Sequence, residues 1–270
     1  MDRVSDHLGG WASYQTHQQG LSPGTIRLRR YELGSWSQWI GGRWGEATFE
    51  DVEAWVGSRP LAAKARQSAV SHVRMFYRWA RREHLTTVDP CADVISPKVP
   101  RRLPRPTPAA VVSAAVGLGE SRAELACALM AYGGLRCCEV AVLRWEDVGS
   151  ERLFVPRSKG GDQRSVRIAP PLAPILAAGD GRIGPVIAST IDGGPLSAHR
   201  VGVLVRAHLR RLGSVCTAHQ FRHYAATHVG ERAGGDLRVV RDFLGHRRIS
   251  TTEIYAELLP GAVDDAVARW

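Results

Sequence analysis

Through the first 95 residues the apolar positions recur at helical spacing, and they predict four helices. Val4, Leu8 and Trp11 form one stripe within residues 2–18. Ser22-Pro23 then reads as an N-cap followed by a first-turn proline, where a helix has no N–H bond to lose. Behind it, Ile26, Leu33, Trp36 and Ile40 lie on one face, and Arg27, Arg29 and Arg30 decorate the start. Thr48-Phe49-Glu50-Asp51 has a capping-box pattern and opens a third helix. Residues 62–84 make a longer fourth one, with Val70, Val73, Tyr77 and Ala80 on its apolar side.

The pattern breaks at residues 96–107, where four prolines resist both helix and sheet. Thr107-Pro108 repeats the cap logic of Ser22-Pro23 and starts the next helix. Residues 121–132 read as an apolar helix ended by Gly133-Gly134, and Val140 and Leu143 continue a second stripe. Residues 152–156 and 164–169 alternate as strands, and Ser158 to Asp162 between them has turn chemistry, so a hairpin is expected. Ser197 caps a helix running to residue 212, and two more follow at 219–229 and 236–244. Val263, Val267 and Trp270 share one face of a short tail, too small to fold alone. The expected fold is mainly α with a small antiparallel β-sheet. Its two domains are a helical bundle at 1–95 and an α+β domain with a short tail at 108–270, joined by a basic, proline-rich linker at 96–107.

Composition narrows the class. The 270 residues are 44% hydrophobic and 23% charged, as in ordinary globular chains, and have no apolar run that spans a bilayer and no signal segment. A cytoplasmic, nucleoid-associated protein is expected. Five cysteines without Cys-x-x-Cys spacing fit reduced thiols, and Cys137 and Cys138 are expected to pack or to sit beside Arg136. The net charge of +10 favours a polyanionic partner, nucleic acid foremost. Residues 1–95 carry 12 basic and 10 acidic side chains, residues 96–107 four and none, and residues 108–270 20 and 16. Lys98, Arg101, Arg102 and Arg105 of the linker are either a solvated strap or one lying along a phosphate backbone. Lys64, Arg66 and Arg74, with Arg78, Arg81 and Arg82, put the same choice to the fourth helix. Six of the eight tryptophans fall in residues 1–95, mostly as expected core.

Candidate chemistry crowds towards the carboxyl end. His219-Gln220-Phe221-Arg222-His223 is followed by Leu244-Gly245-His246, and Tyr255 stands nine residues after that histidine. Upstream, Gly134-Leu135-Arg136-Cys137-Cys138-Glu139 supplies a second arginine, and Lys159 sits at the expected hairpin tip. His219 and His223 have zinc-compatible spacing, but Gln220 stands where the zinc-protease motif needs glutamate, so no metal is expected. No phosphate loop is present, so no cofactor is expected either. Arginines, a lysine, histidines and a tyrosine suit phosphoryl transfer by a tyrosine nucleophile.

These motifs, in this order and spacing, resemble those of the tyrosine recombinases, the phage integrase family. Phe221 stands where that family often has leucine, an apolar-for-apolar change. The resemblance implies that residues 1–95 are a core-binding domain clamping one side of a duplex, and that residues 108–270 are the catalytic domain. It implies Tyr255 as nucleophile, Arg136 and Arg222 on the non-bridging oxygens, and His219 as acceptor of the tyrosine proton. It implies Lys159 as acid for the leaving 5′ oxygen and His246 as a hydrogen-bond donor to the phosphate. Glu139 would orient these groups, and His223 would be structural or support them from behind. The implied activity is site-specific recombination through a 3′-phosphotyrosine and a Holliday junction, by a homotetramer on double-stranded core sites with inverted repeats, with a possible directionality factor.

Integration or excision of a phage or mobile element is the expected role, and Xer-type chromosome-dimer resolution the nearest rival. A type IB topoisomerase shares the chemistry on one duplex, and a non-cutting DNA-binding protein shares the fold. No additional amino-terminal module precedes the bundle, which suggests a minimal two-domain form.

Overall fold

A computed structural model of the protein describes residues 4–95, 103–156, 163–246 and 252–258. The chain divides into two compact units, Met1–Arg101 and Arg102–Trp270. Among the described residues there are eleven α-helices and one two-stranded sheet. No described helix is long and apolar enough to cross a membrane.

The first unit is a four-helix bundle of α1 (Val4–His17), α2 (Pro23–Ile40), α3 (Phe49–Gly57) and α4 (Ala63–Arg82). The Ser22 hydroxyl accepts from the Thr25 backbone N–H, and Gly41 ends α2 in the left-handed region at φ 61°. Thr48 and Asp51 close a reciprocal capping box on α3. Aromatic rings fill the core. Trp36 packs edge-on against Trp55 at 5.4 Å and donates to the Tyr77 hydroxyl at 3.3 Å. Tyr77 in turn donates to the Trp44 carbonyl at 2.8 Å, so the buried polar tips are satisfied. Of the unit's six tryptophans, five are buried, but Trp39 is 44% exposed.

Two arginines of this unit depart from their expected place on the surface. Arg29 turns inward, is buried, and donates to Gln15 at 2.9 Å and Gln19 at 3.3 Å. Arg74 is half-buried and braces the segment after α4, donating to the Cys91 carbonyl at 3.0 Å and the Val94 carbonyl at 2.8 Å. Those donors are engaged by the chain itself. Lys64 and Arg66 are exposed, as is Arg105 at the start of the second unit. Lys98, Arg101 and Arg102 lie outside the described residues, as does most of the linker.

The second unit is built round α6 (Arg122–Tyr132), which is buried on all sides from Leu125 to Ala131. The helices α5 (Ala109–Val116), α7 (Cys137–Val142), α9 (Ala198–Arg211) and α10 (Ala218–Arg232) pack round it or on one another. A Ser121–Glu124 capping box starts α6, and Ser197 caps α9. The expected cap at Thr107 is not formed. Thr107 is buried, its N–H donates to the Gln220 carbonyl at 3.1 Å, and α5 begins after Pro108 without a side-chain cap.

Strands β1 (Arg152–Val155) and β2 (Arg164–Arg167) pair antiparallel, Arg152 opposite Arg167 and Val155 opposite Arg164. The expected turn between them lies outside the described residues. The short α8 (Ala173–Ala177), which carries Pro174, was not expected from periodicity. Last come α11 (Leu237–Leu244) and a 3-10 helix at Glu253–Leu258.

Candidate active site

The site is assembled where three segment ends converge on the first turns of α10. The first is the α6–α7 junction. Gly134 sits at φ 64°, and a Cβ there would lie 2.7 Å from the Phe243 ring, so only glycine fits this close crossing. The turn delivers Arg136 as the N-cap of α7, followed one turn later by Glu139. The Glu139 carboxylate accepts from the Arg136 backbone N–H at 2.8 Å and from its Nη1 at 2.7 Å.

Glu139 is a buried hub. Arg164 on β2 grips both its oxygens, Nη1 at 2.9 Å and Nη2 at 3.0 Å, and Arg222 approaches it to 3.6 Å. Burial alone would push this carboxyl up. The Arg164 fork, the Arg136 N–H and the Arg222 charge overcome that and hold it down at about 2. The ion is therefore a permanent carboxylate that spaces the cations round it.

Arg222, on α10, is only 1% exposed. Its Nη1 donates to the Gly134 carbonyl, and Nη2 donates to the Leu244 carbonyl at 2.7 Å and to His246 Nε2 at 3.1 Å. Burial and the neighbouring Arg136 pull its pKa down to about 9, still above neutrality, so it keeps its charge. Because a guanidinium only donates, His246 Nε2 must accept, and the ring proton sits on Nδ1 facing Thr252 Oγ1 at 2.8 Å. Burial, then Arg222, Arg136 and Arg164, lower the His246 pKa to about 4, so the imidazole is neutral. This differs from the expected role. As placed, Nε2 has no proton to give a phosphate, and donation requires the ring to part from Arg222 and change tautomer.

Gly245 ends α11 in the left-handed region at φ 64° and turns the chain into His246. The 3-10 helix then brings Tyr255 back against α10, where it packs with Ala226, Val240 and Leu244 and is 2% exposed. Its hydroxyl lies 2.8 Å from His223 Nδ1. Burial pushes the phenol up to about 12 against the pull of Arg222 and Arg136. The phenol is therefore neutral at rest. His223 is held neutral too, pulled down to about 4 by burial, His219 and Arg222. A neutral imidazole beside a neutral phenol is an arrangement that can take the phenolic proton.

His219, expected in that role, stacks edge-on against His223 at 4.5 Å, and burial followed by the Arg222 and Arg136 charges lowers its pKa. The described hydrogen-bond partner of the hydroxyl is His223. Both histidines stand on one face of α10, one turn apart, so spacing could not say which one the tyrosine would meet.

The structure thus brings Arg136, Glu139, His219, Arg222, His223, His246 and Tyr255 together. Lys159 lies outside the described residues. Sequence reasoning missed Arg164, read only as part of a strand, and gave Thr252 no role of its own. Cys137 packs against the core, and burial pushes its thiol up.

The sequence model of the Phage integrase family matches residues 112–261. A tyrosine recombinase XerC of Methylobacterium sp. strain 4-46 is 32% identical over 94% of this chain and 89% of its own length. A tyrosine recombinase XerD of Ralstonia nicotianae is 31% identical over 89% of this chain and 86% of its own. The fold is also similar to that of lambda integrase, solved as a dimer bound to a COC′ core site. That match has a TM-score of 0.77 at 18% identity and covers 94% of this chain and 77% of the other.

Proposed function

This chain belongs to the phage integrase family and is a tyrosine recombinase, and from that premise we propose that its role is of the Xer type. It cuts and rejoins double-stranded core sites, with two duplexes held by four protomers, to resolve chromosome dimers. The observation that carries this is the relatedness over about nine-tenths of the chain to proteins named XerC and XerD. Lambda integrase shares the fold at 18% identity, which says nothing of biological role. Integration of a mobile element is the weaker reading on that ground. The two-unit division suits the assignment of residues 1–95 as core-binding and 108–270 as catalytic.

In the proposed reaction Tyr255 Oη attacks the scissile phosphorus. The P–O(Tyr) bond forms, the P–O5′ bond breaks, and the phenolic proton passes to the imidazole that faces it. The leaving O5′ takes a proton from an acid, the role that the resemblance assigns to Lys159. Arg136 and Arg222 supply the fixed positive charge for the transition state, and burial of Arg222 strengthens its share. Religation is the same sequence in reverse with another strand's 5′ hydroxyl, so the bond energy is kept and no external energy source is required.

The reading is tested by mapping covalent 3′-phosphotyrosine junctions across the host genome after expression of the protein. Junctions at one chromosomal locus with inverted repeats are expected. Junctions at the two ends of an integrated element would replace this reading with integration, and relaxation of a single duplex without joining of two would indicate topoisomerase action.

The histidine geometry carries its own expectation. His223→Ala should slow adduct formation on a nicked duplex by about 10²-fold, within the usual range for losing a general base, and His219→Ala should cost less. Single-turnover rates across pH decide it, and a larger loss at His219 returns the proton-accepting role to that residue.

A further inference from the structure

We propose that Arg164 is a positioning residue of the cleavage site: its guanidinium takes up the charge of Glu139 so that Arg136 and Arg222 keep theirs for the phosphate. The proposal rests on the recombinase reading above. Arg164 belongs to none of the motifs that mark the site. It lies on β2 with its side chain 10% exposed, and its guanidinium is committed inside the protein. Nη1 and Nη2 hold the two Glu139 oxygens at 2.9 and 3.0 Å, and Nε donates to the Phe243 carbonyl at 3.2 Å. That carbonyl belongs to the last turn of α11, where helix carbonyls lack partners along the chain. Gly245 packs on the Arg164 stem, and a Cβ there would lie 2.6 Å from its Cδ. One side chain therefore joins the strand, the hub carboxylate and the helix end that delivers His246.

Charge explains why this placement matters. Among the described residues the cluster holds three guanidiniums, Arg136, Arg164 and Arg222, against the one Glu139 carboxylate, which leaves two net positive charges. A phosphodiester attacked by a phenolate reaches two negative charges before its 5′ oxygen leaves, so the balance matches the transition state. The cations are not equivalent. Arg222 and Arg136 both act on the Tyr255 phenol, and Arg164 is not among the groups that do. Without Arg164, more of the Glu139 charge falls on Arg136, already at 2.7 Å, and on Arg222 at 3.6 Å. The residues facing the phosphate would then be partly neutralised from behind. The expected signature is a slower chemical step with nearly unchanged DNA affinity.

The experiment compares wild type, Arg164→Gln and the double variant Glu139→Gln/Arg164→Gln as full-length protein. Adduct formation on a nicked duplex is followed in single turnover, affinity by fluorescence anisotropy, and folding by thermal melting. Arg164→Gln should slow the adduct about 100-fold while affinity moves less than about threefold. Adding Glu139→Gln should recover at least about tenfold, because the uncompensated carboxylate is gone. A mere structural brace predicts no recovery, since the double variant lacks both ends of it.

Should Arg164→Gln not fold, Arg164→Lys replaces it, and an intermediate rate is expected because lysine keeps the charge and loses the fork. A wild-type rate in Arg164→Gln, or no recovery in a folded double variant, overturns the proposal while leaving the recombinase reading intact. A wild-type protein that forms no adduct on a cognate site overturns that reading, and this inference with it.

Discussion

Tyr255→Phe is expected to abolish covalent attachment to a nicked duplex, by at least about 10⁴-fold, with DNA affinity within about threefold of wild type. The substitution is clean because the ring stays in its pocket of Ala226, Val240 and Leu244 and only the hydroxyl is lost. The hydrogen bond to His223 at 2.8 Å is removed, worth about 1 kcal/mol of stability, so the fold should survive. No rescue by higher pH is expected, because no alternative oxygen is left at the position. Denaturing gels of wild type and variant on the same substrate check it. An adduct that persists in the folded variant would show that the nucleophile lies elsewhere.

Arg222→Gln should damage both rate and stability, and the two losses have separate causes. The rate should fall about 10³-fold, near 4 kcal/mol of transition-state stabilisation, because a buried, permanently charged donor is removed from beside the reacting phosphate. Stability should fall by about 2–4 kcal/mol. The guanidinium holds the Gly134 and Leu244 carbonyls and His246 together, and glutamine cannot reach all three. Thermal melting reads the second loss, and single-turnover adduct formation well below the melting point reads the first. A variant that melts early but cleaves at the wild-type rate would make Arg222 a structural clasp alone.

The helices were legible because each carries a complete local signature. Ser22-Pro23 before α2, Thr48 with Asp51 on α3 and Ser197 before α9 all form the caps that their residue types announce. Thr107 has the same local chemistry and makes no cap, because a partner far along the chain, the Gln220 carbonyl, claims its backbone. Arg74 shows the same limit of a local reading. On a helical wheel it is one more surface cation, and only the return of residues 91–94 reveals the carbonyls it holds.

The site divides along the same line. Spaced motifs in order named Arg136, Glu139, His219, Arg222, His246 and Tyr255, because the chemistry of phosphoryl transfer constrains residue type and a family resemblance supplies the roles. What the chain could not state is who meets whom. Two histidines four apart on α10 share one face, and the arrival angle of the 3-10 helix decides that His223 faces the tyrosine. Arg164 is invisible in sequence because an arginine in a short strand is usually solvated. It becomes part of the site only when the pairing of β1 with β2 sets it over Glu139.

The sequence alone therefore determined the class of chemistry, the helical bundle and mixed second unit, and most of the reacting groups. These rest on residue type and local periodicity, which the chain carries along its length. Tertiary structure alone decided protonation and pairing: a carboxyl at about 2, two histidines at about 4 and a phenol at about 12. Those values come from burial and from charges brought together across long stretches of chain, and neither exists before the chain folds.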